Sequence, residues 1–177
     1  MTEGARDQTL VAGIGNIFLG DDGFGCEVAR ELGKMNIPDD VKVIDYGIRG
    51  LDLAYALLEP YKAVIFIDTV TRNGQPGTIY LLQCANTSLD IDKPTALEAH
   101  SMEPANLLAL ARSLGEVTSE IYIVGCEPAD FGEELVGRMG LSDVVARAVP
   151  EAARAVVDLI ARIGATDGKG TAACASN

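Results

Sequence analysis

Asp22, Asp68 and His100 are the side chains whose chemistry is most worth pursuing. Two carboxylates and one imidazole, with no thiolate, suit a borderline divalent ion such as nickel or zinc. Three ligands with coordination positions left open describe a binding-and-catalysis site rather than a structural one. His100 is the single histidine of the chain and sits between Glu98 and Glu103. Imidazole is the commonest metal-binding side chain and is available unprotonated near neutral pH. Asp68 ends the apolar run Ala63-Val-Ile-Phe-Ile67, so it is either a cap or turn residue or part of a site. Asp22 is the second of an adjacent pair. Asp21 is placed to cap the orphan amides of a following helix, and one cap is enough. Asp22 is then free for another task. Positions 22, 68 and 100 are far apart, and spacing alone does not bring them together.

Other chemistries fit less well. Gly13-Ile-Gly-Asn-Ile-Phe-Leu-Gly20 matches the dinucleotide fingerprint poorly, because Phe18 stands where that pattern needs glycine. Asp21 and Asp22 would also repel a pyrophosphate. No serine sits on a Gly-x-Ser-x-Gly elbow. Cys26, Cys84, Cys126 and Cys174 form no Cys-x-x-Cys pair, so neither a zinc knuckle nor a disulfide framework is expected. A pair of Cys26 or Cys126 with His100 has no local support. The chain has 177 residues, 14 basic and 26 acidic, for a net charge of −12. That balance argues against nucleic acid and against a membrane surface as partners. No apolar run reaches the ~18–20 residues that span a bilayer. The first eight residues lack the apolar core of a signal peptide, so the expected location is cytoplasmic.

Several elements must position these residues. Thr9–Ile14, Val41–Ile44, Ala63–Ile67, Thr78–Leu82 and Ile121–Val124 read as short strands. Helical patterns cover about 23–34, 51–58, 102–114 and 141–163, with Pro150 expected to split or kink the last. Residues 84–101 read as a long polar loop. Continuous apolar strands alternating with helices predict an α/β fold. The expected form is a three-layer α/β/α sandwich on a mostly parallel, twisted sheet of about five strands. One domain is expected over 9–163, with a flexible tail at 1–8 and a disordered one at 164–177. In such folds ligands bind beyond the carboxyl ends of the strands, which directs attention to Asp22, Asp45, Asp68 and the segment 125–128.

Five motifs then occur in order: Gly13-Ile-Gly-Asn-Ile-Phe-Leu-Gly-Asp-Asp-Gly-Phe-Gly25, Asp45-Tyr-Gly-Ile-Arg-Gly50, Ile67-Asp-Thr-Val70 with Pro76-Gly-Thr78, Ala99-His-Ser101 and Val124-Gly-Cys-Glu-Pro128. Together they resemble the nickel-iron hydrogenase maturation endopeptidases from about Leu10 to Ile163. The resemblance implies an enzyme that removes a C-terminal peptide from the hydrogenase large-subunit precursor once nickel is in place. Asp22, Asp68 and His100 stand at the positions of that family's metal-contacting residues, and two mechanisms stay open: the metal activates a water with Asp22 or Asp68 as general base, or nickel only positions the peptide and catalysis lies in orientation and acid–base help. It further implies nickel brought by the substrate, for which zinc or cadmium can substitute in a crystal. Asp45, Gly47, Ile48, Arg49 and Gly50 occupy the loop linked in the family to precursor choice. Tyr46, Ile48 and Arg49 replace its usual small residues. A monomer is expected. The competing expectation is a non-catalytic nickel-binding or assembly chaperone of hydrogenase maturation.

Overall fold

The computed structural model describes residues 7–84, 103–131, 137 and 139–167. Among these residues, five strands form one sheet: β1 (Thr9–Ile14), β2 (Val41–Gly47), β3 (Ala63–Thr69), β4 (Ile79–Cys84) and β5 (Glu120–Cys126). Their order is β2-β1-β3-β5-β4. The first four in that order run parallel, and β4 returns antiparallel beside β5. Among the described residues, four α-helices cover the sheet: α1 (Phe24–Leu32), α2 (Gly50–Ala56), α3 (Pro104–Leu114) and α4 (Asp143–Asp167). The expected three-layer α/β architecture is observed.

The layers follow from the strand sequences. β1 and β3 sit in the interior of the sheet and are apolar on both faces, so hydrophobic residues run unbroken along them. Val11, Ile65 and Ile67 point to one face, where they pack with Phe24, Val28 and Leu32 of α1 and Val145, Ala152 and Val156 of α4. Leu10, Ala12, Val64 and Phe66 point to the other, against Leu53 and Leu57 and against Leu107, Leu108 and Ala111 of α3.

Some boundaries differ from expectation. β2 runs to Gly47, β3 to Thr69 and β5 to Cys126. The ladder continues through Asp68, paired with Gly125, because main-chain groups pair whatever the side chain. Pro150 gives no amide to the carbonyl four residues back, yet α4 passes through it as one helix. That helix reaches Asp167, so 164–167 are helical rather than part of a disordered tail. Residues 1–6 and 168–177, most of the polar loop expected at 84–101, and His100 lie outside the described residues.

The glycine-rich motif has a packing role. A Cβ on Gly25 would run into the carbonyl oxygens of Ile14 and Ile67, and one on Gly13 into the carbonyl of Gly25. Hydrogen at these positions lets α1 lie directly on β1 and β3. Gly15 has φ +133, and a Cβ there would strike the Asp22 carbonyl. The loop therefore folds tightly over the turn that carries Asp22.

Candidate active site

The parallel strands deliver their carboxyl ends to one edge of the sheet, where a cleft of about 650 Å³ opens. Asp22, Asp68 and Ile48 all line it, together with Asn16, Glu103 and Phe131. Asp22 comes from a short 3-10 turn, Gly20–Gly23, that leads straight into α1. The Asn16 amide donates to its Oδ2 at 2.7 Å. Burial pushes the Asp22 carboxyl above its usual range, against the opposing pull of that amide. Asp68 is 5% exposed, the second-to-last residue of β3, and lines the cleft. Its Oδ1 accepts the Thr69 amide at 2.7 Å. Burial pushes its pKa well above the carboxylate norm. The Thr69 amide works the other way, and the negative charges of Asp22 and Glu103 add to the rise.

Two carboxylates held near each other with their charged forms disfavoured make a setting that an incoming cation relieves. The donor set therefore fits a metal ion carried into the cleft. Among the described residues, no three His, Cys, Asp or Glu side chains are grouped closely enough to hold a metal by themselves. The third candidate ligand, His100, lies outside those residues.

Asp21 does not cap α1. Neither the 3-10 turn nor α1 receives a side-chain cap. The Asp21 carboxylate is fully buried and points away, toward the segment after β5. It accepts the amides of Ala129 and Asp130, both at 2.8 Å, and the amide and hydroxyl of Ser142 at 2.6 and 2.9 Å. Its own amide donates to the Asp130 carbonyl at 2.9 Å.

The specificity-loop candidates divide. Ile48 is 66% exposed and belongs to the cleft wall. Arg49 turns back on its own loop instead of facing the cleft. It donates to the carbonyls of Asp45 and Tyr46, stacks 5.6 Å from the Tyr46 ring centroid and lies 3.9 Å from Asp52. Asp45 is exposed near the end of β2, Gly47 closes that strand at φ +55, and Gly50 opens α2. None of these three lines the cleft.

The thiol reading loses ground. Burial, then the Asp45 carboxylate, pushes the Cys26 thiol up to about 12. Burial and nearby Asp21 push Cys126 up to about 12 as well. Such thiols are not nucleophiles near neutral pH.

Two carboxylates carry more than their sequence neighbourhoods suggested. Glu103 precedes α3 and faces the cleft, although its sequence context suggested only a flank of His100. Glu127 is 4% exposed and accepts the Arg72 amide at 2.9 Å and the Tyr80 hydroxyl at 2.8 Å. Burial opposes its charge, but these donors and the amides of Gly74 and Asn73 win and hold its pKa below the carboxylate norm. It thereby pins the turn that follows the cleft-lining residues Thr69, Val70 and Thr71. No local pattern signals that contact, which joins residues 55 positions apart.

Among the described residues, no helix is long and apolar enough to cross a membrane. A sequence profile of the hydrogenase maturation protease family matches residues 26–159. The coenzyme F420 hydrogenase subunit delta of Methanothermobacter thermautotrophicus is 32% identical over 160 residues, spanning 86% of this chain and 94% of that protein. A hydrogenase 2 maturation peptidase from a Thaumarchaeota archaeon superposes with TM-score 0.66 at 32% identity, covering 88% of this chain and 99% of that one. The hydrogenase maturating endopeptidase HybD of Escherichia coli superposes with TM-score 0.69 at 26% identity, covering 89% and 94%. With a profile that spans more than half of the chain and relatives covered almost end to end, the chain belongs to the hydrogenase maturation protease family, and so to the peptidases among the hydrolases.

Proposed function

We propose that this protease removes the C-terminal extension of a nickel-iron hydrogenase large-subunit precursor after nickel has been inserted, and that it reads the nickel held by that precursor. One observation supports this most: Asp22 and Asp68, separate in sequence, line one cleft at the carboxyl edge of the sheet. Among the described residues no cationic side chain lines the cleft, and the substrate's nickel supplies that positive charge. Asp68, the more buried carboxylate, gains most from it. Asp22 is only half-buried and can meet water, so it is the better general base for attack on the scissile carbonyl. His100 completes the contact with the metal. Ile48, apolar and exposed on the cleft wall, selects among precursors.

The test is the intact mass of a nickel-loaded precursor, incubated with the wild type and with Asp22→Ala, Asp68→Ala and His100→Ala. The names of the relatives suggest the precursors to try first: the large subunits of a coenzyme F420 hydrogenase and of a hydrogenase of the E. coli hydrogenase 2 kind. Loss of a C-terminal peptide with the wild type alone, and only from nickel-loaded precursor, is the expected result. Cleavage by all three variants would refute the assignment. Tight binding of the precursor by the wild type without cleavage would turn the reading to an assembly chaperone.

A further inference from the structure

Asp21 spends a fully buried carboxylate on four hydrogen bonds, and every one of them leaves its own turn. The partners are two consecutive amides after β5 and both the amide and the hydroxyl of Ser142, just before α4. Both ends of the clamp touch the cleft. On one side Asp22 follows Asp21 directly. On the other, Phe131 follows Asp130 directly and lines the cleft as well. The main chain reinforces the link, since the Asp21 amide donates to the Asp130 carbonyl at 2.9 Å.

A helix cap requires none of this. A cap binds amides two or three residues ahead, whereas these partners lie 108 to 121 positions away. An uncompensated buried carboxylate is costly, so the four donors hold Ala129, Asp130 and Ser142 in place as firmly as they hold Asp21. We propose that Asp21 is a positioning residue. It fixes the Asp22 turn and the Phe131 wall as one unit, and so sets where the Asp22 carboxylate stands relative to a bound precursor. This rests on the reading of Asp22 as a reacting group. The placement of Asp22 itself can be observed without any substrate.

Asn16 supplies the observation, because its amide donates to Asp22 Oδ2 at 2.7 Å. Its amide resonance in a nitrogen-15 spectrum reports that contact. Asp21→Asn keeps the side-chain shape but puts an NH₂ against backbone N–H groups. Ser142→Ala removes a single bond and serves as the milder variant, should the first fold poorly. Ile163→Ala is the control for general loss of stability. It lies at the opposite end of the sheet, where Lys62 reaches the Ile163 carbonyl at 2.8 Å. All are compared well below their own melting temperatures.

The expected result is a shifted Asn16 resonance in Asp21→Asn, a smaller shift in Ser142→Ala and none in Ile163→Ala. In the precursor assay kcat should fall about 10- to 100-fold for Asp21→Asn, as expected when a reacting group is misplaced by about 1 Å. The control should keep its kcat. An Asn16 resonance that does not move in either clamp variant, while the Ala129 and Asp130 amides exchange faster with solvent, overturns the proposal: the clamp is then purely structural. A wild type that cleaves nothing counts against the reading of Asp22 as a reacting group, and the Asn16 resonance still decides whether Asp21 places it.

Discussion

Gly25→Ala adds one methyl group where α1 crosses β1 and β3. The new Cβ would meet the carbonyl oxygens of Ile14 and Ile67. Both belong to the main chain of central strands that are paired on both sides, so neither can rotate aside as a side chain would. Overpacking costs about 1–3 kcal/mol, and two immovable obstacles place this case near ~3. Alanine's better helix propensity returns about 1 kcal/mol. The net loss is ~2 kcal/mol, or about 4–8 °C in Tm at this chain length. Gly164→Ala is the matched control. It too is a glycine in a helix, but its Cβ would meet nothing within 4 Å, so the same exchange should stabilise by about 0.5–1 kcal/mol. Thermal unfolding followed by circular dichroism measures both. α1 carries the turn of Asp22 with it, so cleavage by Gly25→Ala should fall even at temperatures where the protein is folded. If Gly25→Ala melts within about 1 °C of the wild type, the steric account of this motif is wrong.

Three further outcomes are expected. Burial holds the Asp68 carboxyl above its unfolded value of 3.8, so the stability linked to its proton is complete below that pH and is lost as pH rises through the folded value. Asp68→Asn removes the loss, and its Tm advantage over the wild type should grow from about pH 4 upward; an advantage independent of pH would refute the burial argument. The imidazole signals of His100 belong to one residue and need no assignment, because the chain has a single histidine. Nickel, zinc or cadmium should perturb them, the Asp22→Ala change should abolish the response, and unperturbed signals at millimolar metal would separate His100 from the two carboxylates. Iodoacetamide at pH 8 should leave Cys26 and Cys126 unmodified in the folded protein, since both thiols titrate near 12, and cleavage should survive the treatment; loss of cleavage with either one labelled would revive a thiol mechanism.

The cores of the strands were legible because β1 and β3 are buried on both faces and read as unbroken apolar runs. Their ends were not. Asp68 and Thr69 extend β3 through main-chain pairing with Gly125 and Cys126, and hydropathy carries no record of that. The convergence of Asp22 and Asp68 followed from the rule for parallel sheets. The role of Asp21 could not be read locally, because its partners at 129, 130 and 142 come near only once β5 and α4 are in place. Arg49 shows the same limit on a shorter scale. Its sequence suggests a cation offered to a partner, yet the bend after β2 presents two carbonyls that hold it down.

The dispersed origin of the cleft has a consequence for the timing of activity. Its walls come from residues 15, 16, 19, 22, 48, 68–71, 82, 103–105, 123 and 131. Pairings this distant along the chain form late in folding, because each must first overcome the entropy of closing a long loop. The turn of Asp22 gains its anchor only when the chain beyond β5 has docked. A ribosome-bound or partly folded chain therefore carries both carboxylates without the cleft that unites them, and peptidase activity first appears in the completed fold.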